Sequence, residues 1–227
     1  MTSELFTPEP PPRRPVAVTA GAVHLPDWLS SARQRELVER CRQWARPPAG
    51  MVRHTTRGGV MSVRMVSLGW YWRPYRYSAT LPDGTPVKPF PSELGALARA
   101  ALRDAASLDG SLAEAGDASF DVALVNYYDA EARMGMHQDR DERATAPVVS
   151  LSLGDSCVFR FGNTSTRTRP YTDVDLRGGD AFVFGGPARL SYHGVPRTHP
   201  GSADPASGMT EGRLNITIRA TGFAAPG

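Results

Sequence analysis

Hydrophobic positions along this chain follow one period in its first half and another from about residue 120. Between Ser30 and Ala45 the apolar residues Leu37, Val38, Cys41, Trp44 and Ala45 recur at helical spacing, and Pro47-Pro48 ends the pattern, which predicts a helix. A second helix is expected to open with Ser92 as N-cap and to carry Leu94, Leu97, Ala98, Ala101 and Leu102 on one face. From Phe120 onward the texture changes to short β-rich runs separated by Gly, Asn and Asp: Val122 to Tyr128, Val148 to Leu153, Cys157 to Phe161, Ala181 to Phe184, Leu190 to His193 and Leu214 to Ala220. Strands of this kind predict a mainly β (α+β) fold, a jelly roll or barrel with the two helices packed on its outside. The polar stretch Thr198 to Gly212 reads as a mobile loop.

Composition narrows the setting. A chain of 227 residues with 41% hydrophobic content supports one sizeable core, so a single domain over 16–227 is expected, with the helices in 16–119 and the jelly-roll core in 120–222. Residues 1–15, rich in proline and polar groups, are expected to be a disordered tail. No apolar run approaches the roughly 18 residues of a membrane span, and the first residues lack a signal-peptide layout, so a soluble, cytoplasmic protein is expected. Cys41 and Cys157 lie in apolar segments away from any paired-cysteine metal spacing and read as buried reduced thiols. Net charge is only +3, and all but Lys88 of the 26 basic residues are arginine. With a pI near 9.1 this permits phosphate contacts without requiring them.

Candidate chemistry begins at His137-Gln138-Asp139, where an imidazole and a carboxylate two residues apart face the same way if the segment is extended. His193 follows much later, after an apolar run from Arg189 to Tyr192. Two histidines and one carboxylate on one face of a metal leave positions open for a co-substrate and O₂, the arrangement of non-haem Fe(II). A histidine hydrogen-bonded to a neighbouring acid would look the same in a two-residue motif, and a zinc hydrolase uses the same donors. The segment from Arg213 to Arg219 separates these readings. Arg213, Asn215, Thr217 and Arg219 alternate with Leu214, Ile216 and Ile218, an unusual polar face if it looks into the barrel. Buried arginines need an acid, and a dicarboxylate such as 2-oxoglutarate supplies two.

Taken in order, Leu124 to Tyr128, Met136 to Glu142, Pro147 to Gly154, Tyr192-His193-Gly194 and Arg213-x-Asn215-x-Thr217-x-Arg219 resemble the AlkB family of Fe(II)/2-oxoglutarate-dependent dioxygenases, over 120–220 as a whole. The resemblance implies a double-stranded β-helix jelly roll with an N-terminal substrate-recognition lid. It implies His137, Asp139 and His193 as iron ligands, and Asn126, Tyr128, Arg213, Asn215 and Arg219 as the 2-oxoglutarate pocket. Arg213 would pair with the distal carboxylate, and the catalytic Arg219 would lie near the chelating end. Asp141 would accept from a base amine in the substrate pocket. Trp70 and Tyr75 match the lid's aromatic and tyrosine, which hold a flipped nucleotide. Arg133 stands where the family often has lysine, and Arg167 or Arg169 would supply a further substrate contact.

The implied activity is oxidative removal of N-alkyl groups from DNA bases such as 1-methyladenine and 3-methylcytosine. It consumes 2-oxoglutarate and O₂ and releases formaldehyde, succinate and CO₂. One alternative keeps the chemistry and moves it to RNA, a protein side chain or a small molecule. Another is a non-catalytic cupin-like or nucleic-acid-binding module, which would have no use for Arg213 and Asn215.

Overall fold

The structure, a computed structural model, describes residues 12–56, 58–115 and 118–224. Among them lie strands β1 (Val16–Thr19) and β2 (Ala22–Leu25), helix α1 (Ser31–Trp44), strands β3 (Thr55–Thr56), β4 (Gly59–Val60), β5 (Arg64–Leu68), β6 (Tyr71–Arg73) and β7 (Arg76–Ser78), and helix α2 (Ser92–Ala106). Strands β8 (Val122–Tyr128), β9 (Met134–His137), β10 (Val148–Gly154), β11 (Ser156–Phe161), β12 (Thr172–Leu176), β13 (Ala181–Phe184), β14 (His193–His199) and β15 (Arg213–Arg219) follow. A major sheet of order β1-β2-β13-β10-β15-β8-β5 faces a minor sheet of order β12-β11-β14-β9, and β3–β4 and β6–β7 form separate hairpins. All the sheet pairings are antiparallel, as a jelly roll requires.

Two cores explain why the strands read so differently along the sequence. On β13 Ala181 and Val183 join α1 and α2 in one apolar layer, while Phe182 and Phe184 turn to the space between the sheets with Phe159, Phe161 and Val195. On β15 Leu214, Ile216 and Ile218 enter the helix-side core, each worth about 2 kcal/mol of burial. The alternate residues Arg213, Asn215, Thr217 and Arg219 are also buried, on the opposite face of the strand. The polar face thus looks inward, as its alternation predicts.

Several boundaries differ from expectation for local reasons. Ser92 is the first helical residue of α2 and not its cap: Pro91 holds the cap position in extended geometry (φ −71°, ψ 125°), with no side-chain hydrogen bond. Ser30, in contrast, caps α1 by accepting from the Arg33 amide. Leu190 to Tyr192 form no strand. Gly186–Ala188 make a 3₁₀ turn, Leu190 is exposed, and pairing starts only at His193. The polar stretch 198–212 is anchored where a loose loop was expected. β14 runs on to His199, and the Asp155 carboxylate accepts from the amides of Ser202, Ala203 and Gly212. Arg35 and Arg42 of α1 hold the carbonyls of Ala206 and Gly208.

The 16–119 half contributes more than helices and a lid, because β1, β2 and β5 extend the major sheet on both sides. Of the predicted tail, residues 1–11 lie outside the described residues, and its end is tied down. Arg13 pairs with Asp180 at 2.6 Å and with Asp27 at 2.7 Å. Asp180 also accepts from His24 at 2.8 Å and from the amides of Asp27 and Arg177. Burial alone would raise its carboxyl, but these hydrogen bonds outweigh it and hold the group at about 2. A depressed carboxyl contributes stability that is present above its ordinary range and lost as pH falls from about 4 toward 2. Asp180→Asn is accordingly expected to cost roughly 3 kcal/mol at neutral pH, by stranding Arg13 beside a neutral group. Urea unfolding of the two proteins at pH 7 measures that loss.

The cysteines are free and buried as expected, and burial pushes the Cys41 thiol up to about 12. Lys88 donates to the carbonyls of Arg46, Pro48 and Ala49 and so clasps the segment after α1.

Candidate active site

Three ligand-capable side chains converge between the sheets. His137 ends β9, His193 opens β14, and the two are register partners across that pair, which brings the rings to 4.4 Å between centroids. Asp139 lies two residues past the end of β9, buried at 4% exposure. The donor atoms of all three lie within 4.8 Å of one another. Each imidazole is oriented from behind. His137 Nδ1 donates to the Gly135 carbonyl at 2.9 Å, and His193 Nδ1 to the Ser191 carbonyl at 3.0 Å. Both Nε2 lone pairs therefore point toward Asp139, at 3.6 and 3.7 Å from its oxygens. Burial, with His137 alongside, lowers His193 to about 4, so its ring is neutral and available as a ligand at pH 7. Asp139 Oδ2 is buried and has no hydrogen-bond partner. Two nitrogens and a carboxylate with one orphaned oxygen are a donor set that fits Fe(II).

Behind Asp139 lies a network of buried charge that the sequence alone did not single out. Arg219 pairs with Asp139 at 2.6 Å and with Glu142 at 3.0 Å. Glu142, its side chain fully buried, also takes Arg189 at 3.1 Å and the Tyr77 hydroxyl at 2.6 Å. Arg189 in turn donates to the Asp139 and Ala146 carbonyls, fixing the backbone of the ligand loop. Burial works against ionising Asp139, yet Arg219 and the two histidines outweigh it and hold the carboxyl at about 2. The same balance, led by Arg219, keeps Glu142 below its ordinary value. Asp139 and Glu142 are thus ionised acids, ready to hold a metal and an arginine respectively.

Along the inner face of β15 the polar residues continue away from this centre. Arg213 is 1% exposed, donates to Ser152 Oγ and the Asp155 carbonyl, and has no ion pair among the described residues; its Nε is unpaired. A guanidinium so buried without an acid calls for an anionic ligand. Asn126 stands opposite Asn215, and Tyr128 opposite Arg213. The Asn126 carbonyl oxygen is buried without a partner, whereas Asn215 donates to Ser150 Oγ and accepts from Thr217. A lone buried arginine with an unpaired Nε is what a carboxylate-bearing co-substrate such as 2-oxoglutarate would satisfy.

The lid residues separate into two groups. Trp70 is half-buried, follows the turn at Gly69, and lies 5.5 Å from the Phe223 ring. At Gly69 φ is +84°, and a Cβ would fall 2.0 Å from the Asp121 carbonyl, so only glycine delivers Trp70 there. Tyr75 is 59% exposed at φ +74°, on the tip between β6 and β7. Tyr77, two residues on, is the tyrosine that reaches Glu142 and Arg219. The difference is one of place: Tyr75 lies in the turn between the two strands, at positive φ, and Tyr77 lies within β7. Trp72 Nε1 donates to Asp141 at 2.9 Å, so Asp141 is held against the lid. Arg133 and Arg167 are exposed, the latter 5.9 Å from the Tyr192 ring, while Arg169 lies over Tyr171. A cleft of about 1100 Å³ opens here, with Asp139, Arg140, Glu142, Arg143, Arg189 and Phe223 among its walls.

Comparison with known proteins agrees with this chemistry. A family profile described as the 2OG-Fe(II) oxygenase superfamily matches residues 21–219. The alpha-ketoglutarate-dependent dioxygenase AlkB homolog of Caulobacter vibrioides is 38% identical over 213 residues, covering 91% of this chain and 90% of its own. The DNA N(6)-methyladenine demethylase ALKBH1D of Arabidopsis thaliana is 33% identical, but the chain spans only 50% of its length. The solved structure of OsALKBH1 superposes with a TM-score of 0.79 at 29% identity, covering 91% of this chain and 99% of that one. On these matches, and with the donor set and the lone buried arginine in place, the chain belongs to the AlkB family of the 2OG-Fe(II) oxygenase superfamily.

Proposed function

We propose that this dioxygenase oxidatively removes N-alkyl groups from DNA bases, as a monomer in the cytoplasm. The observation that carries the reading is the junction of the lid with the ligand loop: Trp72 donates to Asp141 and Tyr77 to Glu142, so the lid hairpin is bonded to the loop that carries Asp139. When bound, iron and 2-oxoglutarate supply the oxidation: O₂ is consumed as 2-oxoglutarate becomes succinate and CO₂, and an alkyl carbon is hydroxylated.

The protein's own groups bind, orient and exclude water. His137, Asp139 and His193 hold the metal, and Arg219 keeps the Asp139 carboxylate in place. Arg213 and Asn126 receive the co-substrate, with Tyr128 and Asn215 as neighbours. Asp141 accepts from an exocyclic amine or favours a base carrying the positive charge of ring methylation. Trp70 offers a stacking surface for a base extruded from its strand. Arg133 and Arg167 are available to phosphates.

Names of relatives bear on the lesion. The Arabidopsis relative is an N(6)-methyladenine demethylase, so an exocyclic methyl group belongs beside the ring-nitrogen lesions in any test. Purified protein with Fe(II), ascorbate and 2-oxoglutarate is expected to release formaldehyde and succinate from single-stranded oligonucleotides carrying 1-methyladenine or 3-methylcytosine, and to stop when iron is withheld. Turnover on the N(6)-methyladenine strand or on RNA alone would move the substrate, and succinate without any base repair would refute the reading.

A further inference from the structure

Phe223 lies just beyond the last motif of the chain, outside every segment that carries the family resemblance. Its backbone is held firmly. Thr221 is fully buried and gives its amide and hydroxyl to the Asp121 carboxylate, and its carbonyl accepts from the amides of Arg143 and Ala144. Gly222 turns at φ +71° where a Cβ would meet the Ala144 nitrogen at 2.8 Å, and the Phe223 amide then bonds to Thr221 Oγ1. The turn places the ring in the wall of the cleft that Asp139 and Glu142 also line.

There the ring meets three groups at once. Trp70 is 5.5 Å away at 57°, Tyr77 is 6.1 Å away at 60°, and the Arg143 guanidinium carbon is 4.8 Å from the ring centre. A tilted pair at such a separation is already in contact, so no base fits between Trp70 and Phe223. The base must use what the pair leaves open, and the width of that opening is set by a residue on the C-terminal segment.

We propose that Phe223 is a specificity-determining residue, an aromatic brace that positions Trp70 and Tyr77 and closes the cleft around one alkylated base of a nucleic-acid strand. The inference rests on the base-dealkylation reading above. Without the ring, Trp70 gains freedom, and the cleft loses the fixed wall by which a damaged base is told from an undamaged one.

The test is binding under anaerobic conditions, with Fe(II) and 2-oxoglutarate loaded and their content verified in each protein. Fluorescence anisotropy compares a labelled single strand carrying 1-methyladenine with the same strand unmodified, for the natural protein, Phe223→Ala and Phe223→Tyr. Phe223→Ala is expected to weaken the alkylated complex about tenfold, the size of one lost base–aromatic stack, with little change for the plain strand. Phe223→Tyr is expected to restore the preference. Discrimination by Phe223→Ala equal to that of the natural protein would overturn the inference and leave the proposed function standing. No discrimination by the natural protein itself, on 1-methyladenine, 3-methylcytosine or N(6)-methyladenine, would overturn both.

Discussion

Asp139→Ala protein, reconstituted anaerobically with Fe(II) and then desalted, is expected to retain no iron and to release no succinate above background. The argument is geometric. Asp139 supplies the only carboxylate within reach of both histidine Nε2 atoms among the described residues, and its Oδ2 is buried with no other partner. Removing it leaves two imidazoles, too few for a hard divalent ion, and exposes them to Arg219, which loses the closer of its two acids. The cationic side chain would then stand where the metal should be, so the loss exceeds that of one ligand. Iron analysis of the desalted protein decides the matter, and a stoichiometric metal content in the variant would show that the ion is held elsewhere.

Arg213→Ala is expected to raise the 2-oxoglutarate concentration needed for half-maximal turnover by about a hundredfold or more. Breaking a buried charge pair by deleting one partner costs roughly 3–5 kcal/mol, and each 1.4 kcal/mol is tenfold in affinity. The full cost is expected here because the guanidinium is almost wholly buried and no acid among the described residues pairs with it. Arg213→Lys should recover only part of the loss, since an ammonium cannot bond a carboxylate in two parallel places. Iron content is the control: it should match that of the unaltered protein, because Arg213 and the metal-side Arg219 stand at opposite ends of the same strand. An unchanged requirement for 2-oxoglutarate would mean that the co-substrate binds elsewhere.

Both predictions concern residues that could be named from the sequence, and the reason is chemical. Imidazole, carboxylate and arginine are costly to bury, so a strand that alternates them with Leu and Ile announces a site as well as a strand. That alternation places β15 to within one residue at each end, while β8 and β13 match their predicted bounds because they are mostly apolar runs bounded by turn residues. β12 gave no such signal, because Thr172, Asp173 and Asp175 leave it polar and exposed on an edge of the minor sheet. β1, β5 and the lid hairpins are two to five residues each, too short for any period to stand out. Glu142 was readable only as part of a charged run, and its role depends on Arg189, Arg219 and Tyr77 arriving from three other segments. The part played by Tyr77 was not legible, because it depends on where the hairpin turns: Tyr75 falls at the tip and Tyr77 in β7. The anchoring of 198–212 rests on one acid, Asp155, far away in sequence.

Strand β15 is buried on both faces, with an apolar layer on one side and, on the other, the polar face proposed to receive the co-substrate. Substitutions at its two sets of positions are therefore insulated from each other: the pocket can be retuned at 213, 215, 217 and 219 while the packing at 214, 216 and 218 stays untouched. Deleting or inserting a single residue within the strand has no such immunity. It would swap the two sets, driving arginines into oil and leucines into the anion site. β15 is thus closed to changes in length, which must be absorbed by the segment before it.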